Sequence, residues 1–166
     1  MAHEYEDSLV LNRLNGGRLS VRDGYLVDGK HIIVTRYSAY DKTYPQRWNT
    51  VKVGEDEYGN DIIRIEQSNQ NGTFRVDVGS DDPEADASPV LLKQANESDR
   101  QKWHVWRDVA GEGHLVKLCS HVDTSVVMCI YDYGGYWTLV VRNREISSVD
   151  RLWYFNERAH KDIIPD

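Results

Sequence analysis

Apolar residues fall in short runs rich in Val, Ile and Leu, each broken within a few positions by Gly, Asn or Asp. Helical periodicity is nearly absent, and the breakers recur too often for a helix of ordinary length, so the pattern predicts strands throughout. Three apolar strands carry a basic residue: Leu9-Val10-Leu11-Asn12-Arg13-Leu14, Ile62-Ile63-Arg64-Ile65 and Leu115-Val116-Lys117-Leu118. A second strand follows each across a turn. These are Arg18-Leu19-Ser20-Val21 after Asn15-Gly16-Gly17, Phe74-Arg75-Val76-Asp77-Val78 after Asn71-Gly72, and Val126-Val127-Met128-Cys129-Ile130 after Asp123-Thr124-Ser125. Turn residues between β-branched runs predict hairpins. Third strands are expected at His31-Ile32-Ile33-Val34-Thr35, Pro89-Val90-Leu91-Leu92 and Trp137-Thr138-Leu139-Val140-Val141, and each group then closes on a tryptophan strand.

The closing tryptophans sit in three similar strings, Gln46-Arg47-Trp48, Gln101-Lys102-Trp103 and Arg151-Leu152-Trp153, at offsets of 55 and 50 residues. A period of that length means one supersecondary module copied three times, each copy completed by its neighbours. The expectation is twelve strands in a single domain over residues 1–166, with repeats at approximately 8–54, 60–109 and 113–158. A 40% hydrophobic content is enough for one compact core, and no Pro- or Gly-rich linker divides the chain. Trp48, Trp103 and Trp153 are expected in the shared interior, because a large ring at the same place in every module fills it. Trp106, three positions after Trp103, should face the other way. Polar composition predicts fraying at residues 1–7 and 159–166.

This order of motifs resembles the ricin B-chain type β-trefoils, whose hallmark is a Gln-x-Trp near the end of each of three subdomains. Two units keep it, and the third has Arg151 in the Gln position. The likeness runs from about Leu9 to Phe155, and the chain also looks like the small cytoplasmic β-trefoil lectins and protease inhibitors of fungi. What the resemblance implies is an all-β trefoil that binds glycans without catalysis, or one that binds a protease.

The family's sugar sites use an Asp on the second strand, an aromatic platform at the end of the third, and an Asn or Asp beside the Gln. In the first unit the Asp position holds Ser20, with Asp23 displaced by three; Tyr37 is the candidate platform, and Pro45 replaces the Asn beside Gln46. In the second unit Asp77 matches and Gln101 is present, while Lys93 falls near the platform position and Arg100 replaces the Asn. In the third, Ile130 or Tyr131 falls where the Asp belongs, with Asp132 close by, and Asp150 precedes Arg151. No unit keeps the full galactose triad. A hydroxyl-binding pocket without its acceptor loses several kcal/mol of discrimination, so either the glycan site is rebuilt from other residues or the fold serves another purpose.

Carbohydrates need an aromatic face for their C–H patch and both acceptors and donors for their hydroxyls. Two segments have that mixture. One is the loop Arg36-Tyr37-Ser38-Ala39-Tyr40-Asp41-Lys42-Thr43-Tyr44-Pro45-Gln46; the other is Tyr131-Asp132-Tyr133-Gly134-Gly135-Tyr136-Trp137. The first would equally suit a protease inhibitor, since Arg36, Tyr37, Tyr40 and Tyr44 are the residue types that anchor protein interfaces.

Net charge is −7, so the molecule's field repels nucleic-acid phosphate and anionic membranes. Residues 1–7 are acidic and polar where a secretory signal would be basic and then apolar, and no apolar stretch reaches membrane-span length. The expected setting is cytoplasmic, with secretion as the alternative. Cys119 and Cys129 stand at equal distances from Thr124 on two arms of a hairpin: buried thiols in the cytosol, a cross-strand disulfide if secreted. Their spacing with His114 and His121 fits no zinc signature. The two Asn-x-Ser/Thr strings, at Asn71 and Asn96, count only as loop polarity without secretion.

No phosphate loop, His-Glu-x-x-His or nucleophile elbow occurs, so no enzyme activity and no cofactor is expected. His104 alternates away from Trp103 and Val105 and is expected at the surface or in a groove. The acidic stretch Ser80-Asp81-Asp82-Pro83-Glu84-Ala85-Asp86 is expected to be a solvated excursion, as its acids lack EF-hand spacing. The partners implied are glycans or glycoproteins, or a protease. Single shallow sugar sites bind weakly, so avidity would call for several sites or a homodimer.

Overall fold

A computed structural model describes residues 3–12, 17–21, 26–35, 47–86, 88–107, 115–132, 137–145 and 151–156. Among these the chain is all-β apart from a 3-10 turn at Asp99–Gln101 and a 3-10 residue at Arg151. The strands are β1 His3–Asn12, β2 Arg18–Val21, β3 Lys30–Thr35, β4 Arg47–Glu55, β5 Asp61–Asn69, β6 Gly72–Asp77, β7 Leu91–Gln94, β8 Trp103–Trp106, β9 Lys117–Ser120, β10 Val126–Asp132, β11 Trp137–Asn143 and β12 Trp153–Asn156.

Pairing sorts them into a ring and a cap. β1 pairs with β4, β4 with β5, β5 with β8, β8 with β9, and β12 with β1. A bridge between Val116 and Trp153 joins the start of β9 to β12 and closes the ring, leaving no open edge there. The other strands form three hairpins, β2–β3, β6–β7 and β10–β11. These meet one another through β3–β7, β3–β11 and the bridge Pro89 to Val140.

Alternation along each strand sends one face inward. The core holds Val10, Ile63, Ile65, Val105, Leu118 and Met128, together with Trp48, Trp103 and Trp153, all at most 1% exposed. A buried indole must place its N–H, and each does so on the second strand of its own stretch of chain. Trp48 Nε1 donates to Leu19 O at 2.9 Å, Trp103 to Val76 O at 3.1 Å and Trp153 to Met128 O at 2.9 Å.

The residue two before each tryptophan also has a structural task. Gln101 Nε2 donates to the carbonyl of Gln94, the last residue of β7, at 3.0 Å. Arg151 Nε donates to the carbonyl of Asn143, the last residue of β11, at 3.2 Å. Arginine therefore keeps the N–H donor that glutamine supplies elsewhere, which accounts physically for the departure at position 151. The corresponding Gln46 lies outside the described residues.

Neither cysteine is in a disulfide, and both are buried. The register sets Cys119 opposite Val127 rather than Cys129, so the chain positions do not bring the two sulfurs face to face.

Candidate functional site

β3, the segment leading into β7, and the β10–β11 hairpin enclose a cleft of about 290 Å³, lined by His31, Asp86, Pro89, Tyr131, Thr138, Leu139 and Val140. That volume is at the small end of ligand sites and suits a single ring. The hairpin sends Ile130, Leu139 and Val141 toward the core. Alternation therefore turns Tyr131, Thr138 and Val140 to the opposite face, where the cleft lies. Its rim is stitched down: Val90 N donates to Leu139 O, Val141 N to Ser88 O, and Asp86 N to Val141 O at 2.8 Å.

The cleft combines an aromatic face with acceptors. Arg142 lies 5.8 Å from the centroid of the Tyr131 ring, a cation over an aromatic face, and its Nη1 donates to Asp86 Oδ1 at 3.0 Å. Thr138 Oγ1 donates to Ile32 O at 2.8 Å, which commits its proton to the scaffold. Asp86 has φ +68°, the one positive φ among the described non-glycine residues.

The residues expected from sequence are distributed unevenly about this cleft. Asp132 pairs with Trp137 across the hairpin, and Tyr131 with Thr138, so the two pairs face opposite sides. Trp137 is 38% exposed and Asp132 is exposed, yet neither lines the cleft. The candidate segment thus contributes Tyr131, at its first position, rather than its indole.

Asp77 and Gln101 do meet, but as interior structure. Both are wholly buried. Gln101 Nε2 donates to Asp77 Oδ2 at 3.2 Å, Gly79 N donates to Asp77 Oδ1 at 2.6 Å, and the Arg100 guanidinium stands 3.6 Å from Oδ1. Gly79 is needed there: its φ is +77°, and a Cβ would come within 3.1 Å of Pro89 O. The carboxylate matched by motif is spent on this turn and offers a ligand no exposed surface. Ser20 is likewise fully buried, its hydroxyl donating to Arg18 O at 3.1 Å. Asp23, Arg36, Tyr37, Gln46 and Tyr133 lie outside the described residues, as do Tyr40 and Tyr44.

A second polar constellation escapes sequence reasoning. His104, expected at the surface or in a groove, is 6% exposed, because the β4–β5 turn folds across the outer side of β8. Its Nδ1 lies 2.8 Å from Asp56 Oδ2 and its Nε2 2.7 Å from His121 Nδ1, with the two rings stacked at 5.0 Å. Asp56 also accepts from the backbone N–H groups of Tyr58 and Asn60 and from the Asn60 amide. Burial works to raise the Asp56 carboxyl, but the hydrogen bonds from His104, Asn60 and Tyr58 outweigh it and hold it at about 2. An ionised Asp56 can only accept. With both rings neutral, His104 donates from Nδ1 and takes the Nδ1 proton of His121 at its Nε2. Burial, then the positive charge His104 can carry, pushes His121 below the usual histidine value. The local signal was Asp56 four residues before Asn60, a turn-forming pair; the return of β8 beneath it was not legible.

No family model matches this chain, and no curated protein matches it. Solved structures do. The designed 3-fold symmetric protein ThreeFoil superposes with a TM-score of 0.71 at 16% identity, over 90% of this chain and 96% of its own. An earthworm lectin C-terminal domain mutant, solved in complex with 6'-sialyllactose, gives a TM-score of 0.58 at 14% identity over 91% of this chain and 98% of that one. An exo-β-1,3-galactanase from Clostridium thermocellum gives 0.67 at 17% identity over 91% of this chain, which matches 30% of the enzyme's length. At these identities the likeness concerns the fold alone. It is an all-β fold of the β-trefoil kind.

Proposed function

We propose that this chain is a non-catalytic glycan-binding protein, a single β-trefoil domain over residues 1–166 whose three pseudo-symmetric four-stranded repeats fall at about 8–54, 60–109 and 113–158. The three like indole bonds and the ring-and-cap pairing support the repeat assignment. One observation carries the function: the cleft sets the Tyr131 ring beside the Asp86 carboxylate and His31 in a space of about 290 Å³. A pyranose ring fits such a space, with its C–H face on the aromatic ring and hydroxyls directed to the acceptors. The lectin of the same fold is consistent with this use. The Asp of the family motif being buried, the site is a rebuilt one.

A glycan array probed with the folded protein tests the reading. Saccharide binding is expected, and Tyr131→Ala should weaken it about tenfold or more, the order of a lost aromatic contact in a binding site. A folded wild-type protein that binds no glycan above background, or a Tyr131→Ala variant that binds like wild type, would overturn it. A protease panel run alongside is the control: dose-dependent inhibition without glycan binding would assign the fold to inhibition instead.

A further inference from the structure

We infer that Asp86 is the orienting acceptor of this cleft and that the Asp86–Arg142 pair restricts the cleft to uncharged saccharides. The inference rests on the glycan-binding reading and sharpens it to a class of ligand.

The acidic stretch around residue 81 is not a plain solvated excursion at its far end. Asp86 holds a left-handed backbone, φ +68°, which costs a non-glycine residue free energy unless its surroundings fix it. They do so from two sides. Its N–H donates to Val141 O at 2.8 Å, and its carboxylate accepts from Arg142 Nη1 at 3.0 Å. Nearby, Glu84 N donates to Ser88 Oγ and Ser88 N to Glu84 O, so the loop closes on itself before re-entering the sheet. The result is a carboxylate carried to the mouth of the cleft, 65% exposed, in a fixed position. Glycine would adopt the same backbone without strain. An aspartate at this position costs stability and supplies an acceptor, which is the signature of a residue placed for binding.

The charge arrangement sets the class of ligand. Only Oδ1 is engaged by Arg142, and a carboxylate has further lone pairs with which to accept from hydroxyls. Among the described residues Arg142 is a cation beside the cleft, and it is already turned to Asp86 and the Tyr131 ring. A saccharide carrying its own carboxylate would face the like charge of Asp86 and would compete with it for the Arg142 guanidinium. A neutral saccharide breaks nothing and gains charge-assisted hydrogen bonds. The protein's overall charge of −7 acts in the same direction.

The test uses the full chain and an array on which neutral oligosaccharides are each printed beside a sialylated counterpart. Wild type should bind neutral members at least about tenfold better than their sialylated partners, one charge-assisted contact and its loss being of that order. Asp86→Gly should lose that binding by a similar factor while its thermal midpoint stays equal or rises. Asp86→Asn, which tolerates the left-handed backbone, should bind neutral saccharides more weakly and discriminate less. Equal binding of neutral and sialylated members by wild type, or undiminished binding by Asp86→Gly, would overturn the inference. If Tyr131→Ala abolishes binding and Asp86→Gly does not, the cleft is a glycan site but Asp86 is not its acceptor. If the folded wild type binds no saccharide, both readings fall together.

Discussion

Replacing Asp56 with Asn removes one charge; the amide oxygen can still accept from the N–H groups of Tyr58 and Asn60, while an NH2 group takes the place of Oδ2, which faces His104 and the Asn60 amide. What is lost is the ionised partner of His104. In the folded protein Asp56 sits at about 2 against an ordinary 3.8. At about 1.4 kcal/mol per unit, the carboxylate's preference for the folded state is worth at most about 2.5 kcal/mol. The hydrogen-bonded pair is largely covered, with His104 and Asp56 side chains 8% and 10% exposed, but the turn lies at the surface and solvent screens part of the interaction. An effect of about 1–2 kcal/mol is therefore expected. The sign follows from the depressed folded value: the stabilisation is fully present above the unfolded pKa and disappears as pH falls from about 4 toward 2. Urea unfolding followed by tryptophan fluorescence measures this, since the three core indoles are buried in the native state and exposed on unfolding. Asp56→Asn should be less stable than wild type at about pH 6 by that amount, and the gap should narrow as pH falls through about 4 toward 2. A difference that is constant across the acid range would show that the variant merely perturbs the turn. No difference at pH 6 would show that the pair contributes nothing.

Three further outcomes are expected. Burial pushes the Cys119 thiol up to about 11, so native protein at about pH 8 should consume no thiol-disulfide reagent at that residue, whereas both cysteines should react in denaturant; reaction of Cys119 in the native state would contradict its burial. His121 is pushed down, chiefly by burial, so the folded state resists its protonation and the thermal midpoint should fall as pH drops below about 6.5, an acid loss that His121→Gln reduces; a midpoint unaffected by His121→Gln throughout that range would argue against it. Trp103→Ala, which empties the centre of the core and strands the Val76 carbonyl, should cost about 3–5 kcal/mol in urea unfolding; a cost below about 1 kcal/mol would be incompatible with a packed indole there.

The elements were legible in the sequence because strand alternation and turn chemistry are local: every expected apolar run, from Leu9-Val10-Leu11 to Trp137-Thr138-Leu139, lies in or beside an observed strand. The shared interior was legible for a related reason, since an indole repeated at like positions has the same packing problem in each copy. Which polar residue would be buried was not. Asp77 and Asp86 are both aspartates beside turns, and only the first matches a sugar-site motif. Yet Gln101, from 24 residues away, closes over Asp77, whereas hydrogen bonds to β11 hold Asp86 open at a cleft wall. His104 misled in the same manner: alternation correctly sent it outward, and the β4–β5 turn then covered it.

In each case the residue type fixed what the group could do, and a contact from distant chain fixed whether a ligand could reach it. The distinction bears on how a glycan site could move within such a fold. Once Asp77 is committed to Gly79 and Gln101, exposing it again would break buried hydrogen bonds on both sides, at a cost of about 1–3 kcal/mol for each group left unpaired. Placing a new acceptor at the end of an exposed loop breaks none. The physical route of least cost is therefore to leave the motif aspartate in the scaffold and recruit a loop residue instead, and Asp86, strained and pinned beside Tyr131, has the properties that route requires.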